Sequence, residues 1–342
     1  MYISLIIPVH NGGDKFRQCL TSVYGCLDTD SEVIVVADGE TDGAWRAALD
    51  YETRLVKLPS PQGAARARNA GACKATGDLL FFVDADVLLP KDALGKIRSV
   101  FSARPDVSAV IGSYDAEPSE PNFLSQYKNL VHHYVHQQGI EEASTFWGAC
   151  GVVTRSAFWA VNGFSHHYRG ATIEDIDLGC RLKQAGYRIR LVKDLQIKHL
   201  KHWSARSLLR ADIFSRALPW SRLILQGHGL VNDLNLKTRD RVSLLLAYIV
   251  LLSLLTSFFF PWLTLSLGFA ASLFLALNID LYRFFWTKRG LGFSLQAVFW
   301  HWLYFLYSGL GFAMALIEAV FKKILAFTHS KQKKNSKFAG HD

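Results

Sequence analysis

The feature that most constrains this chain is an uncharged stretch that runs from Val242 to Ile279. One helix crosses a bilayer with about 20 apolar residues, so the stretch is nearly long enough for two crossings. Pro261 lies close to its middle, where a proline interrupts or kinks a helix. We therefore expect two membrane spans, at about 242–260 and 262–280, joined by a tight connection.

A third uncharged segment extends from Gly290 to Ile317, and its Trp, His and Tyr residues are typical of a membrane–water interface. It predicts a segment at about 294–317, preceded by a polar connection from Asp280 to Arg289. A third complete crossing would carry the lysine-rich tail to the other side of the membrane, against the positive-inside tendency. The number of spans and the side of the tail therefore stay open. A buried helical core in a soluble protein is the alternative.

Basic residues flank the apolar region instead of covering a folded surface. Nine Lys/Arg oppose three Asp/Glu between 198 and 241, and six lysines oppose one Asp between 322 and 342. Residues 1–197 carry a slight acidic excess, with 20 Lys/Arg against 23 Asp/Glu. This distribution indicates an anionic lipid bilayer as a partner and argues against nucleic acid. The chain divides into a soluble domain, a basic juxtamembrane segment, a transmembrane region and a basic, disordered tail, at 1–200, 201–241, 242–320 and 321–342.

The cysteines and the first residues indicate the compartment. Five cysteines are dispersed without a C-x-x-C pair, which is typical of reduced thiols in the cytosol. The opening "MYISLIIPVH" has no basic leader, and its apolar run has the length of a strand. We expect a multi-pass protein of the cell membrane whose soluble domain stays on the cytoplasmic side.

Within the soluble domain, short apolar runs alternate with helical patterns. The runs at 3–9, 33–36 and 79–83 predict strands, and "GAARARNAGACKATG" predicts a helix before the third. This alternation predicts an α/β domain with a Rossmann-like, mostly parallel sheet. Ligands of such sheets bind beyond the carboxyl ends of the strands, where this chain places His10 and Asp38.

Asp84 and Asp86 follow the third of these strands in "FFVDAD". Two neighbouring carboxylates are costly to bury without a cation. Either the strand ends in a solvated turn, or a divalent cation joins the two acids to a phosphorylated ligand. The convergence of polar residues at three strand ends favours the second interpretation.

Five motifs together resemble a known family: "SLIIPVHN", "VIVVADGETDG", "ARARNAG", "FFVDAD" and "ATIEDIDLGCRLKQAGY". They occur in the order and at the spacing of membrane-anchored family 2 glycosyltransferases with the GT-A fold, over roughly residues 3–200. The resemblance implies an inverting transfer of a sugar from a nucleotide diphosphate, with Mg²⁺ or Mn²⁺. The Q-x-x-R-W signature of processive synthases is absent, with "RALPW" the nearest sequence, so we expect one sugar per acceptor.

The resemblance also assigns the nucleotide site. Pro8, His10 and Asp38 match positions that hold the nucleoside, and Arg68 and Asn69 match the pair that approaches the nucleotide. The family often has two acids at the second strand end, whereas this chain has Ala in the first of these positions, so one Asp must serve alone.

The metal is assigned to the acidic pair. Asp86 matches the metal ligand, and Asp84 matches a residue that contacts the ribose or a metal-bound water and contributes to the metal site. Mg²⁺ and Mn²⁺ favour such oxygen ligands together with substrate phosphates. His199 and His202 lie where some enzymes of this fold place a metal or phosphate contact; the alternative is that neither has a role.

"TIEDIDLGCRL" matches the catalytic segment. Asp175 matches the base that takes a proton from the acceptor hydroxyl, and Glu174 is a second catalytic candidate. Neighbouring acids keep one carboxyl's proton affinity high enough for this task, although acids also suit the first turn of a helix. Trp147, Gly148 and Asp177 are candidates for contacts with the donor or acceptor sugar, with core packing as the alternative for the tryptophan.

The expected partners are a UDP- or GDP-linked sugar donor and a membrane lipid or lipid-linked saccharide acceptor. The juxtamembrane segment would hold the site against the lipid headgroups. Two other functions stay open. A nucleotidyltransferase would share the α/β layout, although "PVHNGGDKF" lacks its glycine-rich phosphate loop. A non-catalytic scaffold would share the fold, although every acid needed for metal and base is present.

Overall fold

The structure is a computed structural model that describes residues 1–168, 170, 172–228 and 237–338, with side chains as far as 325. Part of the predicted juxtamembrane segment, 229–236, and the end of the predicted tail, 339–342, lie outside the described residues.

A nine-stranded mixed sheet forms the centre of the soluble domain, with strand order β3-β2-β1-β4-β8-β6-β9-β5 and β7 paired with β9. The strands are β1 (Ile3–Val9), β2 (Ser31–Asp38), β3 (Arg54–Leu58), β4 (Leu79–Val83), β5 (Val87–Leu88), β6 (Val107–Tyr114), β7 (Glu142–Ala143), β8 (Cys150–Thr154) and β9 (Arg188–His199).

One half of the sheet is parallel, as the sequence predicts. Ile6 of β1 pairs with Ile34 of β2 on one side and with Phe82 of β4 on the other. These strands are buried on both faces, which explains their continuous apolar runs. The other half departs from the parallel pattern because β8 lies antiparallel between β4 and β6. The carboxyl ends of β1, β2 and β4 therefore share one edge of the sheet.

Helices cover both faces of the sheet and continue into the apolar region. In the soluble domain they are α1 (Gly13–Tyr24), α2 (Ala64–Lys74), α3 (Ala93–Ala103), α4 (Phe123–Gln137), α5 (Arg155–Ala160) and α6 (Glu174–Gln184). After it come α7 (Ala205–Arg210), α8 (Leu218–Leu223), α9 (Thr238–Ser257), α10 (Thr264–Leu277), α11 (Ile279–Arg289) and α12 (Leu291–Phe338). A π-helical stretch, Ala211–Ala217, joins α7 to α8.

Two described helices, α9 and the Leu291–Leu325 part of α12, are long and apolar enough to cross a membrane. The pair formed by Pro261–Leu277 and α11 passes the same test as one broken span, bent by 65°. The sequence predicted a polar connection where the structure has helix α11. Helix α11 packs on α4. Charged residues occur in helices as well as in loops, so their presence alone did not predict this helix. Helix α12 continues past 321, where the sequence predicted a tail.

Candidate functional site

Asp38 ends β2 and is held by the start of helix α2. Its two side-chain oxygens accept backbone N–H groups from Gln62 at 2.6 Å and Gly63 at 2.8 Å. The backbone carbonyl of Asp38 contacts Nδ1 of His10 at 2.8 Å. Pro8 lies beside Val36 in the paired strands. The sequence-predicted nucleoside residues Pro8, His10 and Asp38 therefore meet at one edge of the sheet.

Arg68 of α2 joins the two acidic motifs. The buried guanidinium donates to Oδ1 of Asp84 at 2.7 Å and to Oε1 of Glu174 at 2.8 Å. The second oxygen of Glu174 accepts the backbone N–H of Thr172 at 2.7 Å. A buried carboxylate is stable when it is paired and hydrogen-bonded in this way. Glu174 is therefore fully engaged in holding the start of α6.

Asn69, the neighbour of this arginine, has a different task. Its side chain donates to the carbonyl of Phe164 at 2.7 Å and accepts from the N–H of the same residue at 2.9 Å. This pair of hydrogen bonds fixes the loop that precedes α6. The structure thus places the "RN" pair between the carboxyl ends of the strands and the acids of α6.

Asp175 lies in the first turn of α6, beside the chain that leads into β8. Its Oδ2 accepts the backbone N–H of Gly148 at 3.0 Å. Burial, followed by the negative charge of Glu174, raises the pKa of Asp175 to about 6. A carboxyl with such a pKa is ionised at neutral pH and still basic enough to accept a proton.

Asp86 faces His199 at the other side of the site. Strand β5 pairs with β9, and this pairing leaves Oδ2 of Asp86 3.7 Å from Nε2 of His199. Burial opposes ionisation of Asp86, but the facing imidazole, then Lys201 and Lys15, lower its pKa to about 2. His202 points elsewhere, with Nδ1 3.0 Å from Glu120.

The acids fit a cation that a ligand helps to hold. Among the described residues, no three His, Cys, Asp or Glu side chains converge as a complete metal cage. Mg²⁺ normally binds through one or two carboxylates and completes its shell with water and substrate phosphates. Asp86, kept ionised, and the neighbouring Asp84 supply such a pair, with His199 within reach of Asp86.

Trp147 lies in an aromatic stack that connects these groups. Its ring packs on Tyr114 at 4.8 Å and on His132 at 4.7 Å between centroids, and Tyr114 stacks on His199 at 4.4 Å. The structure therefore shows the packing role of this tryptophan, and its contact with a sugar stays a prediction.

Gly148 follows Trp147 and allows a close approach to the arginine of α2. A Cβ at Gly148 would lie 2.9 Å from the guanidinium carbon of Arg68. Asp177, in contrast, is buried and pairs with Arg181 at 2.8 Å. Its carboxylate is committed to the helix instead of facing the strand ends.

Sequence reasoning missed the residues that come from outside the motifs. Tyr114 of β6 and His132 of α4 pack on Trp147 without standing in a recognisable spacing, and Arg216 of the π-helical stretch pairs with Asp212. The signal that could have found one of them is "RALPW", because it begins with Arg216.

The sequence matches two families. Residues 4–161 match glycosyl transferase family 2, and residues 131–204 match the N-terminal domain of galactosyltransferase. A pre-mycofactocin glycosyltransferase of Mycobacterium tuberculosis is 30% identical over 222 residues, which cover 60% of this chain and 45% of that protein. The O-antigen chain rhamnosyltransferase WbaN of Salmonella anatum is 24% identical over 242 residues, covering 66% and 76%. This chain thus spans less than half of the mycobacterial relative.

Two solved structures share the fold. The mannosyltransferase PcManGT from Pyrobaculum calidifontis, in complex with GDP-Man and Mn²⁺, has a TM-score of 0.55 at 18% identity, covering 91% of this chain and 86% of that one. S. aureus TarS 1-349 in complex with UDP-GlcNAc has a TM-score of 0.52 at 17% identity, covering 66% and 65%. The expected GT-A fold is confirmed, with C-terminal helices apolar enough to span a membrane.

Proposed function

Because residues 4–161 match glycosyl transferase family 2, we propose that this chain is a glycosyltransferase that moves one sugar, with inversion, from a nucleotide diphosphate to a lipid or lipid-linked acceptor. The observation that carries this proposal is the connected set of acids around Arg68. The guanidinium binds Asp84 at the end of β4 and Glu174 beside Asp175. A donor-side acid and a base are thereby held on opposite sides of one cation.

The chemistry assigned to this geometry is a single displacement. The acceptor oxygen attacks the anomeric carbon from the face opposite the diphosphate. Where that oxygen belongs to a hydroxyl, its proton passes to Asp175; an ionised phosphate oxygen has no proton to lose. The new glycosidic bond forms as the bond to the phosphate oxygen breaks, and the departing nucleoside diphosphate takes the electron pair. Attack from the opposite face inverts the anomeric centre.

Mg²⁺ or Mn²⁺ is the proposed cofactor. Asp86 and Asp84 would hold it, with His199 as a further contact, and it would offset the charge on the departing diphosphate. The Mn²⁺ in the PcManGT complex supports this choice.

The remaining proposals concern the donor and the acceptor. Pro8, His10 and Asp38, with Arg68 and Asn69 behind them, would surround the nucleoside of a UDP- or GDP-linked sugar. The ligands in the PcManGT and TarS complexes, GDP-Man and UDP-GlcNAc, support a nucleotide-sugar donor. Trp147 and Gly148 are the proposed sugar contacts, whereas Asp177 is proposed to hold Arg181, with which it pairs.

The proposed arrangement in the cell follows from the charge distribution. The soluble domain, residues 1–200, would lie on the cytoplasmic side of the membrane. Residues 201–241 would lie at the headgroups, residues 242–320 would form the membrane region, and residues 321–342 would be a basic tail.

A screen of nucleotide sugars against the full-length protein in lipid vesicles with Mn²⁺ tests the proposal. We expect release of free nucleoside diphosphate, and Asp86→Asn to lower the rate by about a hundredfold or more because the diphosphate loses its cation. Asp92→Asn is the matched control, since Asp92 is an exposed residue paired with Lys96 at 3.1 Å.

Each of the two other functions predicts a different measurement. Pyrophosphate release would identify a nucleotidyltransferase. A thermal unfolding midpoint unmoved by UDP or GDP with Mn²⁺ would favour a scaffold.

A further inference from the structure

Asp212, on the π-helical stretch after the soluble domain, connects three parts of the molecule. It is 3% exposed. One oxygen accepts from Lys128 of α4 at 2.7 Å and from Arg216 at 3.0 Å, and the other accepts from Tyr307 of α12 at 2.9 Å. We call Lys128, Asp212 and Arg216 the juxtamembrane cation cluster.

The cluster carries an excess positive charge. Two cations share one carboxylate, and the carboxylate's oxygens are already occupied by Lys128, Arg216 and Tyr307. The Arg216 side chain uses Nη1 for Asp212 yet is 45% exposed. With nearly half of its side chain exposed, Arg216 keeps N–H donors in contact with solvent, where an anionic ligand can reach them.

Contacts place the cluster beside the reaction site. Lys128 and His132 stand one turn apart on α4, and therefore on one side of that helix. The ring of His132 packs on Trp147 at 4.7 Å between centroids, and the next residue, Gly148, donates to Asp175 at 3.0 Å.

Arg216 connects the cluster to the end of β9. Its guanidinium carbon lies 6.0 Å from the ring of Trp203, which follows the end of β9. Near that end, the N–H of Leu200 donates to the carbonyl of Asp86 at 2.8 Å. The cluster is therefore connected through packed residues to both the proposed base and the proposed metal acid.

Two buried polar atoms of residues near the cluster lack hydrogen-bond partners. Within the part of the chain that the structure describes, Nδ1 of His132 and Nε1 of Trp203 have no hydrogen-bond partner. Burial, then the charges of His136, Arg216 and Lys128, lower the pKa of His132 well below its ordinary value. The ring is therefore neutral and can serve a ligand's hydrogen bond.

Resting on the proposed function, we infer that the juxtamembrane cation cluster binds the phosphate of a lipid phosphate acceptor, with Arg216 as the principal contact. A guanidinium matches phosphate oxygens with paired donors and stays charged at every physiological pH. Asp212 and Arg216 precede the apolar helices in the chain, and Tyr307 of the apolar helix α12 donates to Asp212, so a phosphate at headgroup depth would reach the cluster while the lipid chain stays in the bilayer. The acceptor class is thereby narrowed from any lipid to a lipid that carries phosphate.

Direct binding tests this inference with the full-length protein in phosphatidylcholine nanodiscs. The probes are farnesyl phosphate, farnesol and inorganic phosphate, titrated by calorimetry. We expect farnesyl phosphate to bind more tightly than the other two. Arg216→Gln should weaken it by about ten- to a hundredfold, the effect of a lost charge-assisted hydrogen bond, and Arg216→Lys should weaken it less.

Arg222→Gln is the matched control. Arg222 lies on α8 and pairs with Glu318 at 2.7 Å, with both side chains well exposed, so the same loss of charge should leave farnesyl phosphate binding unchanged. In the Arg216→Gln variant, Asp212 keeps its hydrogen bonds with Lys128 and Tyr307. The thermal unfolding midpoint of this variant should therefore stay close to that of the natural sequence.

Several results would overturn the inference. Equal binding of farnesol and farnesyl phosphate, no binding of either, or no effect of Arg216→Gln excludes a lipid phosphate contact. Inorganic phosphate binding as tightly as farnesyl phosphate identifies a free phosphate site. A loss of UDP or GDP affinity in Arg216→Gln, with farnesyl phosphate unaffected, assigns the arginine to the donor. Failure of the proposed function has a separate readout, namely no nucleoside diphosphate released from any donor.

Discussion

At the scale of single residues, Arg68 forms ion pairs with two acids of the site, whereas Asp175 is held by backbone N–H groups. Arg68 pairs with Asp84 and Glu174, whereas no ion pair among the described residues involves Asp175. Asp175 receives only backbone N–H groups, from Gly148 and Ile176. Burial beside an ionised neighbour then raises its pKa to about 6. The same cation thus neutralises two acids and leaves the third, the proposed base, without an ion pair among the described residues.

This pKa predicts the acid limb of the rate profile. With a hydroxyl acceptor, kcat should be constant above about pH 7 and fall tenfold per unit below about pH 6, because the protonated carboxyl cannot accept a proton. Asp175→Asn should lower kcat by about a hundredfold or more. An acceptor whose attacking oxygen is an ionised phosphate needs no base, so both effects should then be small. Initial rates of nucleoside diphosphate release between pH 5 and about 8 measure this.

Stability provides the control for this variant. The folded-state pKa of Asp175 lies above its ordinary 3.8, so ionising it in the folded chain costs free energy, and stability from this group falls as the pH rises towards about 6. Asparagine removes that cost, and the thermal unfolding midpoint at neutral pH should not decrease. A lower midpoint in Asp175→Asn would indicate that the variant loses activity because it is less stable.

At the scale of elements, α6 is positioned by contact between backbones. Its first turn carries Glu174 and Asp175, and Gly179 in its middle lies against the chain before β8. A Cβ at Gly179 would lie 2.1 Å from the backbone nitrogen of Phe146 and 2.6 Å from the carbonyl carbon of Thr145. The helix can therefore approach closely enough for Asp175 to accept the N–H of Gly148.

Gly179→Ala should displace α6 because the obstructing atoms are backbone and cannot rotate away. We expect a loss of about 1–3 kcal/mol in the free energy of unfolding, together with lower activity. Gly95→Ala in α3 is the matched control, since a Cβ there meets nothing within 4 Å; it should raise stability by about 0.5–1 kcal/mol through helix propensity. Chemical denaturation of both variants measures the difference, and equal stability would show that α6 has room to spare.

At the scale of the whole molecule, the soluble domain and the apolar helices share packed surfaces. Tyr127 and Leu130 of α4 lie in one buried cluster with Phe285 of α11. Arg289, at the end of α11, donates to the carbonyl of Ala116 at 2.8 Å and to the side chain of Gln126 at 2.8 Å. The strand ends that form the site are thus held at a fixed position relative to the proposed membrane region.

The orientation of this assembly can be measured through Cys73, which is exposed on α2. Burial raises the pKa of the Cys19, Cys26 and Cys150 thiols and keeps them unreactive. A membrane-impermeant maleimide should therefore label Cys73 in inside-out vesicles and not in right-side-out vesicles. Cys73→Ser should abolish most of the labelling, and labelling in right-side-out vesicles would place the soluble domain outside the cell.

The sequence by itself determined the features that depend on neighbouring residues. Strands β1, β2 and β4 and the acids at their ends follow from apolar runs that stop at Asp38 and Asp84. The apolar helices follow from the length of the uncharged stretches, because a bilayer requires a minimum run of apolar residues. The α/β class and the family motifs could be predicted because they too depend on residues that are close together in the sequence.

Only the tertiary structure decided which distant groups meet. Arg68 and Glu174 are 106 residues apart in sequence, and the insertion of antiparallel β8 beside β4 brings Gly148 to Asp175. Lys128 of α4 meets Asp212, 84 residues later, because the π-helical stretch packs against that helix. Such contacts depend on how whole elements pack, and packing leaves no periodic pattern in the residues that it brings together.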